Sequence, residues 1–514
     1  MGSVGEKRQR SPSRMQLKPL LISLRRTHQT VLNIMTESKF ASLAVAMKSP
    51  VNLSLLLLTV LVTFGGVMVM EVHGTAVFYA AMARQMVESG DLLAPFRGDT
   101  GYLLKPPLAF WWSAANTLVM GYSNLAVTLP SRLGGLGCAV MTALLTWHFH
   151  RKPFAVWVAV LLFVMNGIYI QFTTAFRLDS LMTFGALLML WGYLKLPRAI
   201  GAFALWSGTA LSLMTKGPMI LVMLAIMLPH ALLSPHWRGA RANLLRYAPL
   251  LLLPLAWYGF IWIFHGEELS RQLTQDFWRG DTSNLSRFDS VWLEYVTKPF
   301  YRLGPWLVLI FIALYQELRL AASASVAVPQ RADAGLLLAL VFLNTIIAVL
   351  KPDPDVRYFY SVLPLVAVMG GGVMARRFGA QVPRWAALLG AALLLAGAAG
   401  VAWFNVKAYP GHQGLQAIVA LAERGELTPA NTLLMVERIP KPNEPRRNDP
   451  IPDAVYFYFG LKLPSALKLP TSGALPASTR FVLLPRTARM LNTVAPLGWP
   501  ERARSEKFIL LERP

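Results

Sequence analysis

Apolar runs start near residues 52, 127, 153, 180, 200, 218, 247, 304, 334, 357 and 385. Each is long enough, or nearly so, to cross a bilayer as a helix, which takes about 20 residues. A backbone in hydrocarbon must satisfy its own hydrogen bonds, so such a series of runs leaves one solution, a bundle of spanning helices. Composition agrees: 55% of the 514 residues are hydrophobic and 15% are charged, with a mean hydropathy of +0.46. The expected fold is a polytopic α-helical membrane protein.

The loops orient the bundle. Basic stretches fall in the N-terminal tail, at HRKP (150–153), KLPR (195–198) and HWRGARANLLR (236–246), between 317 and 331, and at RRFGAQVPR (376–384). With about eleven crossings they share one side, which the positive-inside rule makes cytoplasmic. PLAFWWSAANTLVMG (107–121) is also apolar, but it is short and tryptophan-rich, and counting it as a span would put HRKP outside. It is read as a helix lying at the outer membrane surface. The loop bias accounts for the net charge of +23, and no nucleic-acid-binding motif accompanies that charge, so a nucleic-acid partner is not expected. The single cysteine, Cys138, lies in an apolar run, which excludes an intrachain disulfide and gives a catalytic thiol nothing polar to work with. Residues 1–50 are polar and basic rather than signal-peptide-like, so the first run is expected to be an uncleaved anchor with its tail in the cytoplasm.

The opposite side collects charges at helix ends: Lys105, Arg177, Asp179, Lys216, Lys351 and Arg357. Snorkelling to the interface explains any one of them. Gathered on the side that should be depleted of charge, the set points to a site. Basic side chains on apolar walls suit an anion with a greasy tail, such as a lipid phosphate ester; Lys supplies a point charge and Arg a bidentate fork. Asp179, two residues after Arg177, either binds a substrate hydroxyl or amine or pairs with Arg177. Within the first outer loop, residues 75–90 read as an amphipathic helix through Phe78, Tyr79, Met82 and Met86, with Gly90 as its stop. It is expected to lie flat on the bilayer, either as a plain surface helix or as a platform for catalysis. After Trp403 prolines and charges rise. A helix at 414–427 and strands at 432–439, 454–460, 480–485 and 507–513 suggest a small C-terminal α/β domain on the outer side. The expected organisation is a cytoplasmic tail over 1–50, a transmembrane domain over 51–404 and the α/β domain over 405–514.

These residues resemble the GT-C membrane glycosyltransferases, close to the dolichyl-phosphate-mannose protein mannosyltransferases and the bacterial aminoarabinose lipid A transferases. Tyr79, Ala83, Arg84, Met86, Gly90, Asp91, Tyr102, Lys105, Pro106, Pro107, Leu108, Trp111 and Arg132 follow the family's first-loop pattern in order. FRLDSLMTF matches its second-loop aspartate motif at Asp179, and MTKGPM its TKGP motif at Lys216. PFYRLGPW (299–306) and RYFYSVLPLVAV (357–368) match later segments, so the resemblance covers roughly 52–375. It implies an inverting transfer of a sugar from a polyprenyl-phosphate donor to an envelope acceptor, lipid A or a related glycolipid, at the periplasmic face of a bacterial inner membrane. It also implies donor-phosphate binding by Lys105, Lys216, Arg132 and Arg357, catalysis by Asp179 and Glu71, and substrate binding by Tyr79, Arg84, Tyr102, Arg177 and Thr75. No cofactor and no metal are expected.

One departure matters. Thr75 and Ala76 stand where the family has its acidic pair, with Glu71 and His73 just upstream. A phosphate acceptor is already anionic and needs no base, whereas a hydroxyl acceptor does. The departure therefore favours a phosphate-bearing glycolipid acceptor, or loss of activity. The competing readings are a non-catalytic relative that binds donor lipid or a partner, a protein O-mannosyltransferase, and a transporter. A transporter expects inverted repeats and broken helices at the midplane, and neither is visible in the sequence.

Overall fold

The computed structural model describes residues 50–73, 75–97, 100–217, 219–233, 237–277, 306–325, 327–350, 356–379, 381–436, 451–466 and 475–514. The tail before Pro50, Lys351 and most of the 299–306 motif lie outside the described residues.

Helices stand at all the apolar runs. They are α1 (Pro50–Phe64), α4 (Asn124–His150), α5 (Pro153–Val164) with α6 (Gly167–Thr174), α7 (Leu178–Leu194), α8 (Ala199–Lys216), α9 (Met219–Leu233), α11 (Leu252–Phe277), α12 (Trp306–Ala322), α13 (Val328–Leu350), α14 (Leu363–Phe378) and α15 (Arg384–Glu423). Between them come α2 (Thr75–Ser89), a two-stranded ribbon of β1 (Phe96–Arg97) and β2 (Thr100–Gly101), α3 (Leu108–Met120) and α10 (Arg241–Tyr247). Among the described residues, Asn124–His150, Arg241–Thr274 and Arg384–Glu423 are long and apolar enough to cross a bilayer unaided. The pair α5 and α6, bent by 63°, makes up to one more. The chain is thus a helical membrane protein.

Small residues set the packing that matters for function. In hydrocarbon, helices associate through close backbone approach rather than burial of apolar surface, and glycine permits that approach. Along the antiparallel pair α7 and α8, a Cβ on Gly185 would lie 2.8 Å from Gly208 O, and one on Gly201 would lie 2.8 Å from Gly192 O. On the other flank of α7, a Cβ on Gly134 of α4 would stand 2.7 Å from the Leu181 backbone. These contacts fix the register of α7 against both neighbours. They also bring the first turn of α7, which carries Asp179, beside the last residue of α8, Lys216.

The C-terminal residues form a five-stranded mixed sheet in the order β4–β3–β5–β7–β6, made of β3 (Thr432–Met435), β4 (Ser465–Ala466), β5 (Phe481–Pro485), β6 (Glu501–Arg504) and β7 (Phe508–Glu512). β3 runs parallel to β4 and β5, and β7 runs antiparallel to β5 and β6. Two further helices complete the layer, α16 (Ile451–Phe459) and α17 (Ala488–Val494). Three expectations are corrected here. The aromatic run 454–460 is α16 and not a strand: Ala454 and Tyr458, and Val455 and Phe459, pair at i,i+4 on a buried face, and Gly460 ends the helix at φ 69°. The helix at 414–427 is the continuation of α15, which runs unbroken through the expected boundary at 404. α2 does not lie bare on the bilayer. Ala76, Ala80, Ala81 and Ala83 let neighbours close in, and it packs in one core with α3, α16, β5 and β7.

Gly134→Ala should force α4 off α7 and cost about 1–3 kcal/mol, seen as a lower thermal midpoint in detergent. Gly400→Ala, where the added Cβ meets nothing within 4 Å, should leave the midpoint unchanged or slightly higher. Equal midpoints for the two variants would contradict the register argument.

Candidate active site

The site is built around Asp179, which is 4% exposed. Lys216 Nζ donates to Asp179 Oδ1. The Lys216 ammonium also lies 5.2 Å from the centre of the Tyr358 ring, and the Arg357 guanidinium lies 5.0 Å from the same ring. Tyr358 thus presents a π face to two cations. Tyr79 of α2 completes the wall, hydrogen-bonded to Tyr102, within the fields of Arg357, Asp179 and Arg177, and packed edge-on against Phe110 and Phe176. Burial pushes its phenol up, so it keeps its proton at neutral pH.

Arg177 caps α7. Ser131 Oγ donates to its carbonyl at 2.7 Å and accepts from its amide at 2.9 Å. Its guanidinium lies 5.5 Å from the Phe172 ring centre, and its buried Nε has no hydrogen-bond partner among the described residues. It can therefore give a donor to a bound anion.

Lys105 sits between β2 and α3 in a loop that is held on several sides. Leu103 N donates to Gln272 Oε1 at 3.0 Å, and Gln272 Nε2 donates to Gly101 O at 2.6 Å. Trp257 Nε1 donates to Leu93 O at 2.8 Å, and Trp111 Nε1 donates to Leu92 O. Pro106 and Pro107 are buried, and Leu103 shares a small core with Met214, Trp257 and Ile261. The loop is thereby seated against the end of α8, two residues from Lys216. Two prolines after the lysine stiffen a segment whose place α8 and α11 determine.

Three residues stand elsewhere than the resemblance implies. Arg132 is fully buried. Its guanidinium donates to Thr63 O, to Thr174 O at 2.9 Å and to Thr128 Oγ1 at 2.9 Å. It ties α1, α4 and α6 by satisfying two carbonyls and a hydroxyl in an apolar setting. Arg84 donates to Phe457 O at 2.8 Å and lies 3.9 Å from the Tyr122 ring centre, so it holds α2 to α16. Glu71 is 1% exposed and accepts from Glu506 N at 2.9 Å, turned to the β6–β7 turn. Burial pushes its carboxyl up from the usual range. Thr75 is the first residue of α2. Tyr358 escaped the sequence reading; its signal was an aromatic residue directly after Arg357 in RYFY. Among the described residues, no group of three His, Cys, Asp or Glu side chains is arranged to hold a metal ion.

Residues 51–270 match a family model described as dolichyl-phosphate-mannose-protein mannosyltransferase. The solved structure of ArnT from Cupriavidus metallidurans bound to undecaprenyl phosphate superposes with a TM-score of 0.58 at 16% identity, over 93% of this chain and 99% of that one. The fold is that of the GT-C membrane glycosyltransferases. By sequence the chain is similar to the undecaprenyl phosphate-alpha-4-amino-4-deoxy-L-arabinose arabinosyl transferase of Shewanella sediminis, at 26% identity over 38% of this chain and 40% of the relative. A second transferase of that description, from Pseudomonas fluorescens, is 28% identical over 39% of this chain and 34% of its own length. The chain thus spans about two fifths or less of the length of the curated relatives it matches.

Arg132→Met should leave buried carbonyls unpaired at a cost of about 1–3 kcal/mol, read as a lower thermal midpoint. A midpoint equal to that of the unaltered chain would contradict this tie.

Proposed function

We propose that the chain is an inverting glycosyltransferase that moves a sugar or amino sugar from a polyprenyl-phosphate donor to an envelope acceptor, with lipid A or a related glycolipid as the favoured class. The observation that carries this reading is the buried Asp179–Lys216 pair at one end of the bundle, with Arg357 and Tyr358 against it. It is supported by the transferase activity of the similar proteins and by undecaprenyl phosphate in the neighbouring ArnT structure.

In this reading the acceptor oxygen bonds to the anomeric carbon from the face opposite the leaving group. The bond from that carbon to the phosphate oxygen breaks, and its electron pair leaves with the phosphate. Lys216, Lys105 and Arg357 would neutralise the charge that develops there, preorganised in a dry site. Asp179 would hold Lys216 in place and accept a hydrogen bond from the sugar. An acceptor phosphate brings its own negative charge and needs no proton removed, which suits a chain with Thr75 and Ala76 at the start of α2. Thr75, Tyr102 and Arg177 would line the sugar side. The reaction calls for no resident cofactor or metal. The protein would sit in a bacterial inner membrane with about eleven crossings, its tail in the cytoplasm and this site facing the periplasm, where its partners are membrane lipid, donor and glycolipid acceptor. A non-catalytic donor-binding relative is the second reading, motivated by the same Thr75, and protein O-mannosylation is disfavoured because a hydroxyl acceptor needs a base.

The test is transfer of a labelled sugar from undecaprenyl phosphate to lipid A by the purified chain. Lys105→Ala and Lys216→Ala should each lower turnover at least about tenfold, or about 1.4 kcal/mol. Asp179→Asn should abolish transfer while donor binding survives. Tight donor binding with no transfer to any phosphate-bearing acceptor would establish the non-catalytic reading instead.

A further inference from the structure

The segment Met70 to His73 precedes α2 in the chain, and Tyr79 of the site comes about one turn into that helix. This segment is tied to three separate parts of the fold. Asn124 Nδ2 of α4 donates to Met70 O at 3.0 Å. Val72 N donates to the Tyr458 hydroxyl of α16 at 2.7 Å. Glu506 N, in the β6–β7 turn, donates to Glu71 Oε1 at 2.9 Å, and His73 Nε2 lies 3.6 Å from Glu506 Oε2.

The turn itself is braced. Ser505 Oγ accepts from Lys507 N at 3.1 Å and from Phe508 N at 2.9 Å, and Ser505 N donates to Phe508 O at 2.8 Å. Gly414 of α15 packs so close that any Cβ would overlap Arg504 O. At the other end of α2, Arg84 donates to Phe457 O and Glu88 accepts from the Tyr456 hydroxyl. Three consecutive residues of α16, Tyr456, Phe457 and Tyr458, therefore hold the C-terminal half of α2 and the segment that precedes it.

From this geometry we infer that Glu71 and Tyr458 are positioning residues: through them the C-terminal sheet sets the place of α2, and with it Tyr79, at the site. The inference rests on the glycosyltransferase reading above and assigns the C-terminal domain a part in transfer rather than in donor binding. Burying a carboxylate is costly, and the groups acting on Glu71 are Glu506, Lys507 and Ser505, all in the β6–β7 turn. The bond that matters is acceptance from a backbone amide, which a glutamine carbonyl performs as well. A general base has no such tolerance. The two roles are thus separable by one conservative substitution.

The experiment compares the full-length chain with Glu71→Gln, Glu71→Ala and Tyr458→Phe. It measures kcat, donor KM, thermal midpoint, and amide hydrogen exchange over residues 70–80. Glu71→Gln should keep kcat within about threefold, while Glu71→Ala should lose about tenfold or more with donor KM unchanged. Tyr458→Phe, a small change that preserves packing, should lower kcat and speed exchange at Val72 and in the first turn of α2. Glu71→Ala should speed that exchange too, and Glu71→Gln should not. Equal loss of kcat in Glu71→Gln and Glu71→Ala, with exchange unchanged, would make Glu71 a catalytic group and overturn the inference; wild-type exchange in Glu71→Ala and Tyr458→Phe would overturn it as well. The exchange readout decides the matter even if no transfer is found, so failure of the functional reading and failure of this one are distinct.

Discussion

A carboxylate and an ammonium buried together at the edge of a membrane bundle are the constraint on which the rest of this structure turns. Taking either charge out of water alone costs several kcal/mol, and the pair repays this only with good geometry. Asp179 and Lys216 obtain that geometry from backbone packing. The glycines at 185, 192, 201 and 208 let α7 and α8 approach along their length, so the start of one helix and the end of the other meet in a fixed register. Arg357 and Tyr358 then join from a separate part of the chain. The result is an excess of positive charge against aromatic walls with one carboxylate inside it, which is an arrangement suited to a lipid-borne phosphate.

The layer outside the bundle follows from the same requirement. α2 supplies Tyr79 to the site, yet it is only 15 residues long and short of hydrogen-bonding side chains at its start. Its place is set from outside, by α3 on one side and by α16 and the sheet on the other. The length of α15 is understandable on this basis. As one helix of 40 residues, it carries the membrane bundle's frame of reference to the β6–β7 turn, which meets the loop before α2.

Much of this was legible in the sequence because membrane helices announce themselves through apolar length alone. The helices at the apolar runs, the short helix at 108–120 and the charges at Lys105, Arg177, Asp179, Lys216 and Arg357 were visible in periodicity, hydropathy and loop charge. What escaped depends on three-dimensional partners. An arginine in an apolar run reads as a ligand in sequence, but Arg132 answers carbonyls of two other helices, Thr63 O of α1 and Thr174 O of α6, that lie far from it in the chain. The aromatic run 454–460 has strand-like composition and becomes a helix because its i,i+4 face meets α2. β6, with the sequence ERAR, is an edge strand with no hydrophobic alternation to betray it. The change of composition at Trp403 falls within one continuous helix rather than at a break between helices.

The central claim is that the Asp179–Lys216 pair marks the seat of the donor phosphate. Electron cryomicroscopy of the chain in lipid nanodiscs with undecaprenyl phosphate tests it most directly. Phosphate density is expected within hydrogen-bonding reach of Lys216, with Lys105 and Arg357 turned toward it and Asp179 still against Lys216. Density at the opposite ends of the helices, near Lys195 and Arg151, with the Asp179–Lys216 pair untouched by ligand, would contradict it.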